Sequence, residues 1–282
     1  MSSAVALAQE LLGAEAISVR PVGGGCISDA QRVGLSDGRV VFLKSGEGLP
    51  SGLLTVEAEA LRWLGEAEAI RVPQVLAGDD ELLVLEWIES GPARATTGEQ
   101  LGRNLARLHA AGAPGFGWHR DGFIGSLPQC NTAATDWPTF WFTRRIEPLA
   151  RLAHDRGSLP SAAARLVGRL GERLPELAGP PETPARLHGD LWTGNVMVDQ
   201  SGEPWVFDPA PYGGHREVDL AMLHLFGRPD PAMLDAYQEL SPLATGWPER
   251  TRLWQLEPLL VHAVLFGGSY GAQAHDVIRH FT

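Results

Sequence analysis

Residues 187–208 read LHGDLWTGNVMVDQSGEPWVFD, and the reading of this stretch decides the fold. Val196, Met197 and Val198 form a short apolar run, Gln200-Ser201-Gly202-Glu203 is turn chemistry, and residues 204–207 are apolar again. Two short strands joined by a tight turn are expected. Polar residues stand at both ends of this hairpin: Asp190 and Asn195, five apart, precede the first strand, and Asp208 follows the second. An Asp-to-Asn spacing alone describes an ordinary capped surface turn. The hairpin and the carboxylate at its far end favour a built site instead.

The chemistry that suits such a site is phosphoryl transfer. An alcohol is a poor nucleophile, and a carboxylate can orient it and take its proton as the phosphoryl group moves, which is the role expected of Asp190. Magnesium is a hard cation that takes oxygen ligands. The Asn195 amide oxygen and the Asp208 carboxylate would supply them from opposite ends of one hairpin. Protein kinases order their catalytic Asp, metal-binding Asn and metal-binding Asp in the same way.

Two segments are more specific. HGDLWTGN (residues 188–195) and FDPAPYGGHREVDLAM (residues 207–222) resemble the fructosamine kinase, or ketosamine-3-kinase, family. Many phosphotransferases share HGD-x-x-x-x-N, but far fewer carry Trp192 or the run from Tyr212 to Asp219. The resemblance covers nearly the whole chain. It implies an α+β, two-lobed, protein-kinase-like fold related to the aminoglycoside phosphotransferases. Residues 1–88 would be an antiparallel-sheet lobe that binds nucleotide. Residues 89–282 would be a mostly helical catalytic and substrate lobe. The implied activity is transfer of phosphate from ATP, with Mg2+, to the 3-hydroxyl of a ketosamine, free or protein-bound. The 3-phosphate then decomposes and frees the amine. Trp192, His215, Gln129 and Asn131 are the acceptor-side candidates. An aminoglycoside or other small-molecule phosphotransferase is the nearer alternative. A catalytically dead nucleotide-binding relative is the farther one, since Lys44, Asp190, Asn195 and Asp208 are all present.

Composition sets bounds. The chain has 282 residues, enough to bury a sizeable core. With 23 basic against 34 acidic residues, net −11, neither a nucleic-acid backbone nor an anionic membrane is expected as main partner. Cys26 and Cys130 form no disulfide framework and no metal spacing. No apolar run is long enough for a membrane span, and the first residues read as an amphipathic helix, so a reducing cytoplasm is the expected compartment. Of the 23 basic residues only Lys44 is lysine. A single lysine among arginines marks a place where a compact ammonium is wanted, as against phosphates.

Lys44 closes the third of three strands expected over residues 19–22, 30–33 and 40–43. Between the first two lies Gly23-Gly24-Gly25-Cys26, a turn whose backbone amides can approach phosphates. A Cys26 thiol among such amides, near Lys44, has reason to ionise. A helix over residues 53–64 carries Glu57 and Glu59, and Glu57 is the expected partner of Lys44. The apolar run LLVLEWI, residues 82–88, reads as a buried strand leading to a hinge at Glu86, Trp87 and Ile88, where backbone groups would hold adenine. Thr97-Gly98-Glu99-Gln100 has the pattern of a capping box. Arg144, Arg145 and Arg151 are expected on the polar face of a helix over residues 137–152. Asp219 is expected to hold the catalytic-loop backbone, and Trp247, Trp254 and Phe266 to be core.

Overall fold

In the computed structural model, which describes residues 3–23 and 28–282, the chain opens with helix α1 (Ser3–Leu12) and a five-stranded sheet. The strands are β1 (Ala16–Pro21), β2 (Asp29–Leu35), β3 (Val40–Ser45), β4 (Val75–Gly78) and β5 (Leu82–Glu86), in the order β1-β2-β3-β5-β4 and antiparallel throughout. Helix α2 (Leu53–Gly65) lies between β3 and β4 in the chain. Alternation along the strands explains the layering. Val41, Leu43, Leu82 and Val84 meet Val5 and Ala8 of α1 on one face, while Leu83 and Leu85 meet Leu54, Ala58 and Leu61 of α2 on the other. A strand covered on both faces reads as an unbroken apolar run, which is why residues 82–85 lack alternation. Gly24, Gly25 and Cys26, expected to cradle phosphates, lie outside the described residues.

The remainder is mainly helical. Helix α3 (Thr97–Ala110) is followed by the short hairpin β6 (Gly122–Ile124) and β7 (Leu127–Gln129). Helices α4 (Trp137–Trp141) and α5 (Glu147–Asp155) are joined by a wide, π-helical turn over Phe142–Ile146, and α6 (Ser161–Leu177) follows. Strand β8 (Ala185–Leu187) leads into the hairpin β9 (Val196–Val198) and β10 (Pro204–Val206), and β11 (Tyr212–Gly214) pairs back onto β8. Helices α7 (Glu217–Leu223), α8 (Pro231–Leu240), α9 (Trp247–Trp254), α10 (Leu256–Phe266) and α11 (Tyr270–Phe281) complete the fold. Their core gathers Trp137, Phe140, Trp141, Tyr212, Trp254, Leu260 and Ile278. Among the described residues no helix is long and apolar enough to cross a membrane.

Four local expectations are corrected. The capping box does not form: Thr97 Oγ1 accepts from Arg94 N (2.9 Å) and donates to the Gly202 carbonyl (2.7 Å), tying α3 to the β9–β10 turn instead. Arg145 is not on a polar face. The π-helical turn aims it inward, over the rings of Phe140 and Tyr212 at 4.8 and 4.2 Å, where it pairs with Glu257 at 3.1 Å. The strand expected to reach Ile88 ends at Glu86. Phe266 is 58% exposed rather than core, because it ends α10 where the chain turns at Gly267 and Gly268.

Candidate active site

A cavity of about 520 Å³ lies between the sheet and the helical part. The residues expected to carry chemistry reach it from separate elements. Lys44 comes from the end of β3, Glu57 from α2, Asp190 and Asn195 from the loop before β9, and Asp208 from the end of β10. Gly23, Glu86, Trp87, Ile88 and Trp192 also line it.

The Lys44 ammonium donates to both Glu57 oxygens, at 2.9 and 2.7 Å, and to Asp208 Oδ1 at 2.9 Å. Burial lowers the Lys44 pKa, but the two facing carboxylates outweigh it and hold the group above its ordinary value. Glu57 is 8% exposed, and burial pushes its carboxyl up to about 7 against the pull of Lys44. Asp208 opens into the cleft with its side chain 46% exposed. Burial of part of it raises its pKa, but Lys44 prevails and holds it below the usual carboxylate value. Its backbone sits at φ +53°, a left-handed conformation uncommon outside glycine, so local strain accompanies the carboxylate's placement.

Asn195 Nδ2 donates to the Asp190 carbonyl (2.9 Å) and to Asp190 Oδ2 (3.2 Å). The amide nitrogen is thereby used on the loop before β9, which leaves the amide oxygen as the atom suited to a cation. Burial, reinforced by the Asp208 charge, raises Asp190 to about 7. The loop is held from beneath. Asp219 accepts from the amides of His188 (2.8 Å) and Gly189 (2.9 Å), as its position in the sequence led one to expect. Asp219 also meets His109 Nε2 at 3.2 Å. His188 accepts from Asp190 N at Nδ1 (3.3 Å) and donates from Nε2 to the Phe207 carbonyl (3.0 Å), the pattern of a neutral ring, and burial lowers its pKa. Gly189 is at φ +81°, and a Cβ there would stand 1.9 Å from the Ala210 carbonyl oxygen, so the tight HGD turn requires glycine.

Three acceptor-side candidates are elsewhere. Gln129 and Asn131 are 4% and 1% exposed and do not line the cavity; Asn131 Oδ1 accepts from Arg145 (2.6 Å) and its Nδ2 donates to the Arg120 carbonyl (3.1 Å). Both side chains turn inward because the 114–136 loop packs on the helical core. His215 is 3% exposed and stacks on Trp254 at 5.5 Å, so its ring is structural. The cavity also has walls that were not anticipated: Phe42, Val56, Phe123, Ile124, Met197 and Phe207. Phe42 was within reach, since strand alternation puts it on the same face as Lys44. Phe123 and Ile124 gave no signal, because only the tertiary fold brings β6 against α2. Glu59, the other acidic residue of α2, bonds Arg120 at 2.8 Å and His119 at 3.3 Å, which ties α2 to that loop.

The cleft meets the demands of a nucleotide and one cation. Among the described residues no cluster of three His, Cys, Asp or Glu could hold a metal on its own. Asn195 and Asp208 offer two hard oxygen groups, the small protein share usual for magnesium bound with phosphates. A sheet lobe over a helical lobe, with a buried Lys–Glu pair and this Asp–Asn–Asp constellation, defines a protein-kinase-like phosphotransferase that uses ATP. The family model "Fructosamine kinase" matches residues 1–282, and the chain belongs to that family. It is 38% identical over 270 residues to a probable ketoamine kinase of Enterococcus faecium, covering 93% of this chain and 95% of that one. It is 33% identical over 267 residues to the chloroplastic protein-ribulosamine 3-kinase of Arabidopsis thaliana, covering 92% and 81%. The crystal structure of a candidate fructosamine-3-kinase from Thermobifida fusca superposes with a TM-score of 0.93 at 44% identity, covering 99% of this chain and 98% of that one.

Proposed function

We propose that the protein phosphorylates the 3-hydroxyl of ketosamines, the sugar–amine adducts of early glycation, and so starts their removal from amines. The observation that carries this reading is the convergence of Lys44, Glu57, Asp190, Asn195 and Asp208 on one cavity in a chain of this family. Residues 1–88 act as the nucleotide lobe and residues 89–282 as the catalytic and acceptor lobe. The backbone of Glu86, Trp87 and Ile88, free of the sheet beyond Glu86, receives adenine. Gly23 and Lys44 face the phosphates, and Glu57 fixes the Lys44 ammonium for that task. Asn195 and Asp208 hold Mg2+. Bound together, ATP and Mg2+ supply the phosphoryl group and the charge that offsets its negative oxygens.

Asp190 does the chemistry that belongs to the protein. Its carboxylate accepts a hydrogen bond from the acceptor hydroxyl, orients it, and takes the proton as the oxygen becomes bonded to phosphorus. A carboxyl raised to about 7 is matched to proton acceptance near neutrality better than an ordinary one. Trp192, 37% exposed at the cavity rim two residues beyond Asp190, forms part of the acceptor wall. The protein works in a reducing cytoplasm, and its acceptor is a small sugar adduct rather than nucleic acid or lipid.

The test is ATP turnover over a panel of ketosamines, aminoglycosides and simple sugars, with product position read by phosphorus NMR. The reading expects Mg2+-dependent turnover highest on ketosamines and phosphate on the 3-oxygen. Turnover confined to aminoglycosides would replace it with the alternative small-molecule phosphotransferase.

A further inference from the structure

Helix α2 is contacted on three faces. Leu54, Ala58 and Leu61 pack on the sheet, and Glu57 points to Lys44. Val56, Glu59 and Trp63, three and four residues apart, form a third stripe. Glu59 stands about 200° around the helix from Glu57. What this third stripe meets comes from the helical lobe. Arg120 Nη1 donates to Glu59 Oε1 at 2.8 Å. A Cβ on Gly122 would lie 3.6 Å from Val56. The Trp118 ring lies 5.9 Å from that of Trp63, and the Arg186 guanidinium lies over the Trp63 ring at 4.6 Å. Arg186 Nη1 also donates to the Trp63 carbonyl at 2.6 Å, one of the four carbonyls that a helix end leaves without an internal partner.

Both arginines have fixed roots. Arg186 lies on β8, four residues before Asp190, and its Nε donates to the Gly112 carbonyl at 3.3 Å. The Arg120 carbonyl accepts from the buried Asn131 side chain at 3.1 Å, and Asn131 is a partner of Arg145. A half-exposed pair such as Arg120–Glu59 adds little stability. It still fixes direction. A helix held at its middle and at its end by the lobe that carries Asp190 cannot tilt or slide against that lobe without breaking these contacts.

We propose that Arg120 and Arg186 are positioning residues for phosphoryl transfer: they hold α2 against the helical lobe, so that Glu57 keeps the Lys44 ammonium in register with Asp190. The inference rests on the proposed roles of Lys44, Glu57 and Asp190. Lys44 sits between Glu57 of α2 and Asp208 of the helical lobe, so its ammonium reports any shift of α2 against that lobe.

Lys44 is the only lysine in the chain, so protein made with lysine carrying 13C at Cε gives one side-chain NMR signal, at the site itself. The experiment compares the full-length wild type with Arg120→Ala, Arg186→Met, the double variant, Arg120→Lys and Glu57→Gln. Each is followed by that signal, by urea unfolding, and by kinetics with ATP, Mg2+ and Nα-acetyl-lysine amide carrying fructose on its ε-nitrogen. The double variant should move the Lys44 signal toward its place in Glu57→Gln. It should lower kcat about 10-fold, since a small misplacement of reacting groups costs up to about 10²-fold. Arg120→Ala alone, at a half-exposed position, should give a smaller change of the same kind with its urea midpoint near that of wild type, and it decides the matter where the double variant does not fold. Arg120→Lys keeps a charge opposite Glu59 and should retain most of the wild-type kcat. The proposal is overturned if the Lys44 signal stays in place, whether or not kcat falls, or if kcat stays at the wild-type level. The signal needs no acceptor, so it tests the positioning apart from the ketosamine reading. Normal ATP kinetics in Glu57→Gln would instead bring down the role of the Lys44–Glu57 pair, and the positioning with it.

Discussion

Lys44→Met should cost stability by an amount that grows with pH. In the wild type the Lys44 ammonium touches both Glu57 oxygens, at 2.9 and 2.7 Å, and Glu57 titrates at about 7 even with that help, because it is buried. Remove the ammonium and the folded carboxyl rises further, while in the unfolded chain it stays near 4.3. A group whose folded pKa is raised holds a proton in the folded state that it releases on unfolding, so stability falls as pH rises. Wild-type Glu57 is about half protonated in the folded state at pH 7 and ionised in both states by pH 9, so its slope is smaller and fades across the window. The variant keeps its proton when folded and loses about 1.4 kcal/mol per pH unit, at most about 2.7 kcal/mol over the window. Asp208, which loses the same partner at 2.9 Å, shifts in the same direction. The assay is urea unfolding at pH 7 and pH 9 at fixed ionic strength, accepted where the m-value is unchanged. The double variant Lys44→Met with Glu57→Gln should lose most of the slope, since little is left to titrate. Parallel stability–pH curves for wild type and Lys44→Met would refute the argument.

Asp190→Asn should lower kcat about 10²-fold or more while nucleotide affinity, measured by titration, changes only a few-fold, because proton acceptance matters in the transition state. Glu57→Ala should raise the KM for ATP more than Glu59→Ala, since Glu57 holds Lys44 whereas Glu59 holds Arg120 on the surface; the opposite order in steady-state kinetics would reverse those roles. Asp219→Ala leaves the buried amides of His188 and Gly189 unpaired and should cost about 1–3 kcal/mol each in urea unfolding, with turnover falling in step.

What the sequence made legible follows the range of the forces involved. The β9–β10 hairpin, α2 and the Lys44 strand were readable because turn chemistry and periodicity act within a few residues. Phe42 and Lys44 share a face for the same local reason. Arg145 and Phe266 were misread because their surroundings come from afar. Arg145 is buried by Glu257 and Tyr212, more than sixty residues on, and a π-helical turn leaves no sequence pattern that distinguishes it from a plain helix. Phe266 looked like core because it is aromatic, yet it ends a helix. Gln129 and Asn131 matched a family pattern, and only the packing of their loop shows that both are buried and that Asn131 is a partner of Arg145.

The lone lysine shows composition and geometry answering one question. Two buried or half-buried cations that each face a single carboxylate, Arg250 and Arg216, use the arginine fork. Arg250 bonds Glu217 through two nitrogens at 2.8 and 2.6 Å, and Arg216 bonds Glu182 at 2.8 and 2.9 Å. Each of those carboxylates presents a flat edge that two parallel donors match. Lys44 faces something different. Glu57 on α2 and Asp208 at the end of β10 approach one point from separate elements, and the nucleotide phosphates are proposed to arrive there too. A planar fork can align with one of those carboxylates only by turning away from the other, whereas three tetrahedral donors on one nitrogen can be shared among them. Lys44→Arg keeps the charge and loses that sharing, so turnover should fall although the pair with Glu57 survives. Normal kinetics in Lys44→Arg would mean that the point can take a fork after all, and that the single lysine in this chain carries no geometric reason.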